Sequence, residues 1–331
     1  MSWSKISIVA AMWVCILCGL SAAAEPAPPM AYIEPGTVDA DFAFQGEYAG
    51  DLLLDGESKK FGMQIIAQGE GKFAAVGYRG GLPGDGWNRT EVYRGKGQIE
   101  NGQLKIEHDE AVGTINAGVL TIADRDGNLL GDLKHLVRQS PTMGAKPPAE
   151  AIVLFDGKEA NKFPGSQVTE DGLLKQGATS EPKFQSGTLH LEFLLSYMPQ
   201  SSGQGRANSG CYLQGRYEVQ ILDSFGLAGK DNECGGIYSI KDPDMNLCFP
   251  PLVWQTYDID FTAAKYDAQG KKSDDARITV KHNGVLIHQN VALPKSTTAA
   301  PVKEGAEPGP IYLQDHGNPV RFRNIWFVEK K

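Results

Sequence analysis

Short runs of alternating apolar and polar residues, each closed by a turn signal, recur along most of this chain and restrict its fold more than any other feature. In the first half they include Phe61-Gly-Met-Gln-Ile-Ile-Ala67, Lys72-Phe-Ala-Ala-Val-Gly-Tyr78, Gln103-Leu-Lys-Ile-Glu107 and Gly118-Val-Leu-Thr-Ile122. The separators are hairpin chemistry: Gly-Glu-Gly, Asn101-Gly102 and Asp126-Gly127. In the second half the runs are Gly187 to Leu195, Asn208 to Asp223, Trp254 to Phe261, Ala276 to His288 about an Asn283-Gly284 turn, and Pro310 to Val328. Strands of this number and spacing, without helical periodicity between them, predict an all-β protein, with a two-sheet sandwich or jelly roll as its second half. The 331 residues include 39 glycines and 19 prolines, which fits a turn-rich chain of about two domains.

Segments without periodicity divide the chain. Residues 1–24 carry Lys5, an apolar run from Ile6 to Leu20, and Ala22-Ala23-Ala24 before Glu25. They read as a secretory signal removed after Ala24, with an uncleaved membrane anchor as the alternative. Export to the periplasm or beyond is therefore expected, with no membrane span after signal removal. Residues 25–41 read as a linker, mobile over Glu25 to Glu34, 42–140 as a small antiparallel β module, 141–150 as a proline-rich linker, and 151–331 as the sandwich. Gly80-Gly-Leu-Pro-Gly-Asp-Gly-Trp87 lacks the Lys-Ser/Thr ending of a phosphate-binding loop and is expected to be a β-connection.

A net charge of −8 disfavours nucleic acid and anionic membranes as partners and leaves a neutral ligand or glycan. Cys15 and Cys18 leave with the signal. Of the remaining three, Cys211 alternates into an apolar face, whereas Cys234 and Cys248 flank one loop, so a 234–248 disulfide is expected in an oxidising compartment.

The densest set of reactive side chains lies in Asn208 to Asp223. A three-residue connection, Gly215-Arg216-Tyr217, would place Gln214 with Glu218 and Tyr212 with Gln220 on one polar face, opposite apolar neighbours. Tyr212-Leu-Gln214 recurs as Tyr312-Leu-Gln314, and His190 and Glu192 alternate with Leu189, Leu191 and Phe193. These strands could pave one hydrogen-bonding surface, or form the solvated face of an ordinary sheet.

The motifs Leu154-Phe-Asp-Gly157, Leu191-Glu-Phe193, Asn208-Ser-Gly210, Tyr217-Glu-Val-Gln-Ile-Leu-Asp223, Trp254-Gln-Thr-Tyr257, Asn283-Gly284-Val285, Gly309 to Gly317 and Phe322-Arg-Asn-Ile325 occur in this order. Over about 151–331 the chain resembles the 3-keto-disaccharide hydrolase domain family, formerly a domain of unknown function. The resemblance implies a concanavalin A-like jelly roll whose concave side takes sugars, and cleavage of glycosides oxidised at the sugar 3-position. No counterpart of residues 42–140 is known in that domain. A 3-keto group acidifies the C2 proton, so cleavage can run by elimination, which needs a base and an acid. Glu218 is the first candidate for base, Glu192 for a carboxyl kept protonated beside it, and His316 for either.

His190, Asn208, Tyr212, Gln214, Gln220, Gln314 and Asp315 are candidate sugar contacts, with Glu192, Tyr212, Gln214, Glu218, Gln220, Gln314 and His316 expected on one concave surface. Related retaining glucanases carry Glu-x-Asp-x-x-Glu where this chain has Glu218-Val-Gln220-Ile-Leu-Asp223. Gln220 cannot ionise, which disfavours direct displacement. Asp223 is expected to bind substrate or brace a loop. No cofactor or dedicated metal site is expected; Ca²⁺ at Asp242, Asp244 and Asn246 is the weaker alternative. The rival to an enzyme is a lectin-like binding protein without turnover.

Overall fold

The computed structural model describes residues 30–330. The expected signal, with Cys15 and Cys18, lies outside them. The first eight strands are β1 (Gly46–Leu54), β2 (Glu57–Ala67), β3 (Lys72–Arg79), β4 (Val92–Glu100), β5 (Gln103–Glu107), β6 (Ala111–Asn116), β7 (Val119–Asp124) and β8 (Leu129–Leu136). Each pairs antiparallel with the next, and β1 pairs with β8, so the sheet closes into an up-and-down barrel. Alternation supplies the two faces: Tyr93, Gly95, Gly97 and Ile99 of β4 point inward, while Arg94, Lys96, Gln98 and Glu100 are exposed. A charged exterior is the inverse of a lipid-facing barrel. The β4–β5 turn uses Asn101 (φ 51°) and Gly102 (φ 79°), two successive left-handed residues whose twist matches that of the strands. No described helix is long and apolar enough to cross a membrane.

The second half is a jelly-roll sandwich of the concanavalin A-like type. Its strands are β9 (Ile152–Phe155), β10 (Leu174–Lys175), β11 (Ala178–Phe184), β12 (Gly187–Leu195), β13 (Ser209–Leu213), β14 (Tyr217–Ile221), β15 (Gln255–Thr262), β18 (Ala276–His282), β19 (Val285–Leu293), β20 (Gly309–Leu313) and β21 (Val320–Glu329), with β16 (Lys265–Tyr266) and β17 (Lys272–Asp274) forming a small separate ribbon. One sheet has the order β10-β21-β12-β15-β18-β19, with β9 also on β21; the other has the order β11-β20-β13-β14. Between them lies one core to which Leu189, Leu191 and Phe193 contribute from the first sheet and Cys211, Leu213, Val219 and Ile221 from the second.

The barrel is not a loose appendage. Ile66, Val76 and Tyr78, on the outer face of β2 and β3, belong to the sandwich core cluster, together with Phe225. Beside them buried Glu47 accepts from Arg138 (2.6 Å) and Gln64 (3.0 Å), and Arg138 also lies over the Phe249 ring. Trp87, in the glycine-rich β3–β4 connection, packs edge-on against Tyr78.

Both expected linkers are docked where the structure describes them. Tyr32 exchanges two backbone hydrogen bonds of 2.9 Å with Tyr197, whose hydroxyl donates to Asp39. The described part of the first linker is thus ordered by an aromatic anchor that composition could not show. Residues 140–145 lie across the outer face of the larger sheet. Ser140 and Thr142 hydroxyls meet Thr256, Thr142 donates to Asp258, the Gly144 N–H donates to Glu192, and Asn324 donates to the Ala145 carbonyl.

The expected disulfide is corrected. Cys211, Cys234 and Cys248 are buried free thiols. Cys234 and Cys248 are neighbours, yet each sulfur has other partners: Cys234 lies 3.3 Å from the Tyr257 hydroxyl, and Cys248 3.5 Å from the Leu222 carbonyl.

Candidate active site

The β13–β14 hairpin builds the outer face of the smaller sheet. Leu213 pairs with Tyr217 and Tyr212 with Glu218, so the connection is Gln214-Gly215-Arg216. The loop has three residues, as parity requires, but the register is shifted by one pair from the expected one. Gln214 therefore leaves the strand: it takes φ 55° in the turn and bonds to the Phe184 carbonyl, Gln185 and Arg216, away from the polar cluster.

Glu218 stands at the centre of that cluster, 2% exposed. The Tyr212 hydroxyl donates to its Oε2 at 2.7 Å, and Gln314 Nε2 donates to the Tyr212 oxygen at 3.2 Å. Its Oε1 is buried without a hydrogen-bond partner. Gly210, across the hairpin, makes room for the carboxyl: a Cβ there would overlap Oε1. The Glu218 backbone N–H is held by Thr297 Oγ1 at 3.0 Å. Burial pushes the carboxyl up to about 8, with the Tyr212 hydrogen bond opposing only in part. Burial and the carboxylate at its hydroxyl push the Tyr212 phenol up as well.

Two residues along β14, Gln220 donates to Asn208 Oδ1 at 2.9 Å, and Asn208 donates to the carbonyl and side chain of Gln204. The two Tyr-Leu-Gln strands are direct neighbours: Tyr212 pairs with Tyr312, their rings 5.3 Å apart. Tyr312 and Gln314 are half-buried, so this is the side on which the cluster meets the surface.

Other expected members lie elsewhere. His190 and Glu192 are on the outer face of the larger sheet, across the core from Glu218, and sheets in a sandwich are about 10 Å apart. Parity assigns a residue to a face of its own sheet and does not say which sheet. There Glu192 accepts from Arg323 (2.6 Å), Asn324 (2.8 Å) and Gly144 (2.6 Å). Burial tends to raise this carboxyl, but its hydrogen bonds, from His190, Asn324, Arg323 and the Gly144 N–H, hold it down to about 2. His190 stacks on Trp326 and bonds to Asp258 at 2.6 Å; burial disfavours its charge, but the two carboxylates win and raise its pKa. Glu192 is thus an ionised anchor for the 140–145 segment, not a protonated partner of Glu218.

His316 is exposed in the turn after β20, without a hydrogen bond to the cluster, and Asp315 accepts from the Gly317 N–H in that turn. Buried Asp223 pairs with Arg206, which also donates to the Ala67 and Ser201 carbonyls. Asp242 and Asp244 are engaged by Lys230 and Lys241. Gly210, Gln204, Thr297 and Tyr312 are the cluster residues that sequence reasoning did not single out as site candidates; the glycine stands in the Asn208-Ser-Gly210 motif and Tyr312 in the repeated Tyr-Leu-Gln, while Gln204 and Thr297 carry no distinguishing pattern.

Fold and site together define a jelly-roll sandwich with a buried carboxyl among amide and phenol side chains on one outer sheet face. The chain belongs to the family described as the 3-keto-alpha-glucoside-1,2-lyase-like domain, which residues 150–328 match. The barrel lies outside that match. A solved structure of a candidate glycosyl hydrolase from Parabacteroides distasonis ATCC 8503 is 31% identical, with a TM-score of 0.50 over 55% of this chain and 85% of that one. A second candidate glycosyl hydrolase from the same organism is 18% identical, with a TM-score of 0.40 over 55% of this chain and 94% of that one. No curated protein matches the chain.

Proposed function

We propose that this protein is an exported carbohydrate-active lyase or hydrolase that cleaves glycosides oxidised at the sugar 3-position, with Glu218 as its proton-transfer group. The observation that carries the reading is the buried Glu218 carboxyl, poised near pH 8 with one oxygen uncommitted. A base for a carbon acid works best with a pKa near the working pH, because it must both accept a proton and later release it. In the ionised form Glu218 takes the proton from C2, whose acidity comes from the neighbouring ketone. The electron pair left at C2 forms the C1–C2 double bond as the C1–oxygen bond breaks, and the carboxylic acid so formed returns its proton to the departing oxygen. Water added across the double bond would complete a net hydrolysis.

The chain's other groups support binding and orientation. Tyr212 and Gln314 form a hydrogen-bonded relay from Glu218 toward the surface, and Gln220, Asn208 and Gln204 present amides that match sugar hydroxyls. Since Glu218 is covered, a sugar reaches it only after the groups over it move, and half-buried Tyr312 and Gln314 mark the side nearest the surface. Export rests on residues 1–24.

The test is incubation of the purified protein with 3-keto-disaccharides and with the parent disaccharides. Release of product from the keto sugars alone is expected, with kcat/KM rising to a plateau above about pH 8 and lost by at least about 100-fold in Glu218→Gln. Binding without product, with and without added divalent metals, would overturn the enzyme reading in favour of a sugar-binding protein.

A further inference from the structure

The barrel is filled at only one end. Near the sandwich its interior is packed by Tyr48, Phe73, Leu104, Ile115 and Leu120, all at most 1% exposed. At the opposite end, bounded by the β1–β2, β3–β4, β5–β6 and β7–β8 connections, four of the inward positions are small: Ala75, Gly95, Ala111 and Gly113. They leave a cavity of about 290 Å³ walled by Phe61, Met63, Ile106 and Ile122. Small eight-stranded barrels either fill their interior with side chains or hold one small ligand. This barrel does the first in one half and leaves room for the second in the other.

The rim decides the chemistry. Its cations are already committed: Arg79 is bound by Asp55 and Glu91, and Arg125 by Glu107. Glu91 also accepts from the Tyr93 hydroxyl, and Glu110 at the mouth is exposed. His108 at the mouth accepts the Glu110 N–H at Nδ1 (3.2 Å) and packs edge-on against Tyr93, so among the described residues no free Lys or Arg awaits an anionic head group, and the walls are mostly apolar. Leu53, beside the opening, is 52% exposed, which extends the apolar surface outward.

We propose that the open end of the barrel is a binding site for a neutral, apolar small molecule about two rings in size. The cavity is about twice the ~150 Å³ that accepts benzene in an engineered core. This inference is independent of the Glu218 site, since its residues lie wholly within β1–β8 and their connections.

The test titrates N-phenyl-1-naphthylamine, a neutral fluorophore whose fused pair of rings matches the cavity and whose third, phenyl ring can lie in the open mouth, into the full chain. A saturable one-to-one rise in emission is expected, with a shift of the Met63 methyl resonance on methyl-labelled protein. Ala75→Leu, which fills the cavity, and Ala111→Phe, which narrows its mouth, should each weaken binding at least about tenfold. The anionic analogue 8-anilinonaphthalene-1-sulfonate should bind at least about tenfold more weakly than the neutral probe. Emission that does not saturate, an unmoved Met63 methyl, or unchanged affinity in both folded variants would overturn the site. Equal affinity for the anionic probe would overturn the assignment of a neutral ligand. Should the variants not fold, the Met63 methyl of the unaltered chain decides the matter.

Discussion

Glu192 and Glu218 are both nearly inaccessible, yet their surroundings drive them in opposite directions. Glu218 has one hydroxyl donor and an unpartnered oxygen, so burial dominates and its folded pKa is raised to about 8. The native state therefore holds a proton that the unfolded chain has lost above about pH 4.5, and stability declines as pH rises from there through 8. Glu218→Gln should remove that decline: melting at pH 9 should show the variant stabilised by up to about 5 kcal/mol over the parent, and at pH 4 little difference. Glu192, held down to about 2 by its donors, contributes in the opposite sense. Its stabilisation is complete above about pH 4.5 and is lost as pH falls toward 2, so Glu192→Gln should cost about 3 kcal/mol at pH 7 and progressively less on acidification. Sequence reasoning could single out both carboxyls, since each alternates with apolar neighbours. It could not pair them correctly, because Arg323, Asn324 and the Gly144 N–H that define the surroundings of Glu192 are 48 to 132 residues away.

At the scale of the hairpin, Gly210 works through the room it leaves. The Glu218 carboxyl occupies the space that any larger residue on β13 would take. Gly210→Ala should therefore displace the carboxyl without removing it, lowering kcat/KM at least about tenfold and shifting the rising limb of the pH profile. An unchanged profile would show that the carboxyl tolerates a methyl neighbour and is not tightly placed. The strands were legible because alternation and Asn-Gly turns are local signals, and Asn101-Gly102 and Asn283-Gly284 do turn where they stand. The hairpin register was legible only to within one pair of residues. Loops 214–216 and 215–217 have the same parity and leave every face unchanged, so patterning could not tell that Gln214 would enter the turn. The closed barrel was legible as hairpins and not as a barrel, since its closure depends on β1 meeting β8.

For the whole molecule, the shared core between barrel and sandwich changes what separation would do. The sequence suggests that a chain beginning near Pro147 would fold alone. Such a chain lacks the 140–145 segment over Glu192 and Asp258, and lacks Ile66, Val76 and Tyr78 against Phe225. It should be less soluble than the full chain and should bind hydrophobic dyes on the surface the barrel leaves. A monomeric product with the melting temperature of the full chain would show instead that the contact is incidental. The path of residues 140–145 has a further consequence, for the order of events during folding. Their partners come from β12, β15 and β21, strands that together span more than a hundred positions, so the segment can settle only after the larger sheet is complete, although it is synthesised before any of that sheet. The barrel, made of consecutive hairpins, can close far earlier. Between these two moments the Thr142–Met143 peptide bond stands open to thermolysin, and it becomes guarded only when Thr142 and Gly144 settle on Thr256, Asp258 and Glu192. Pulsed proteolysis during refolding should thus cut there early and fail late, timing the last step of assembly by a single bond.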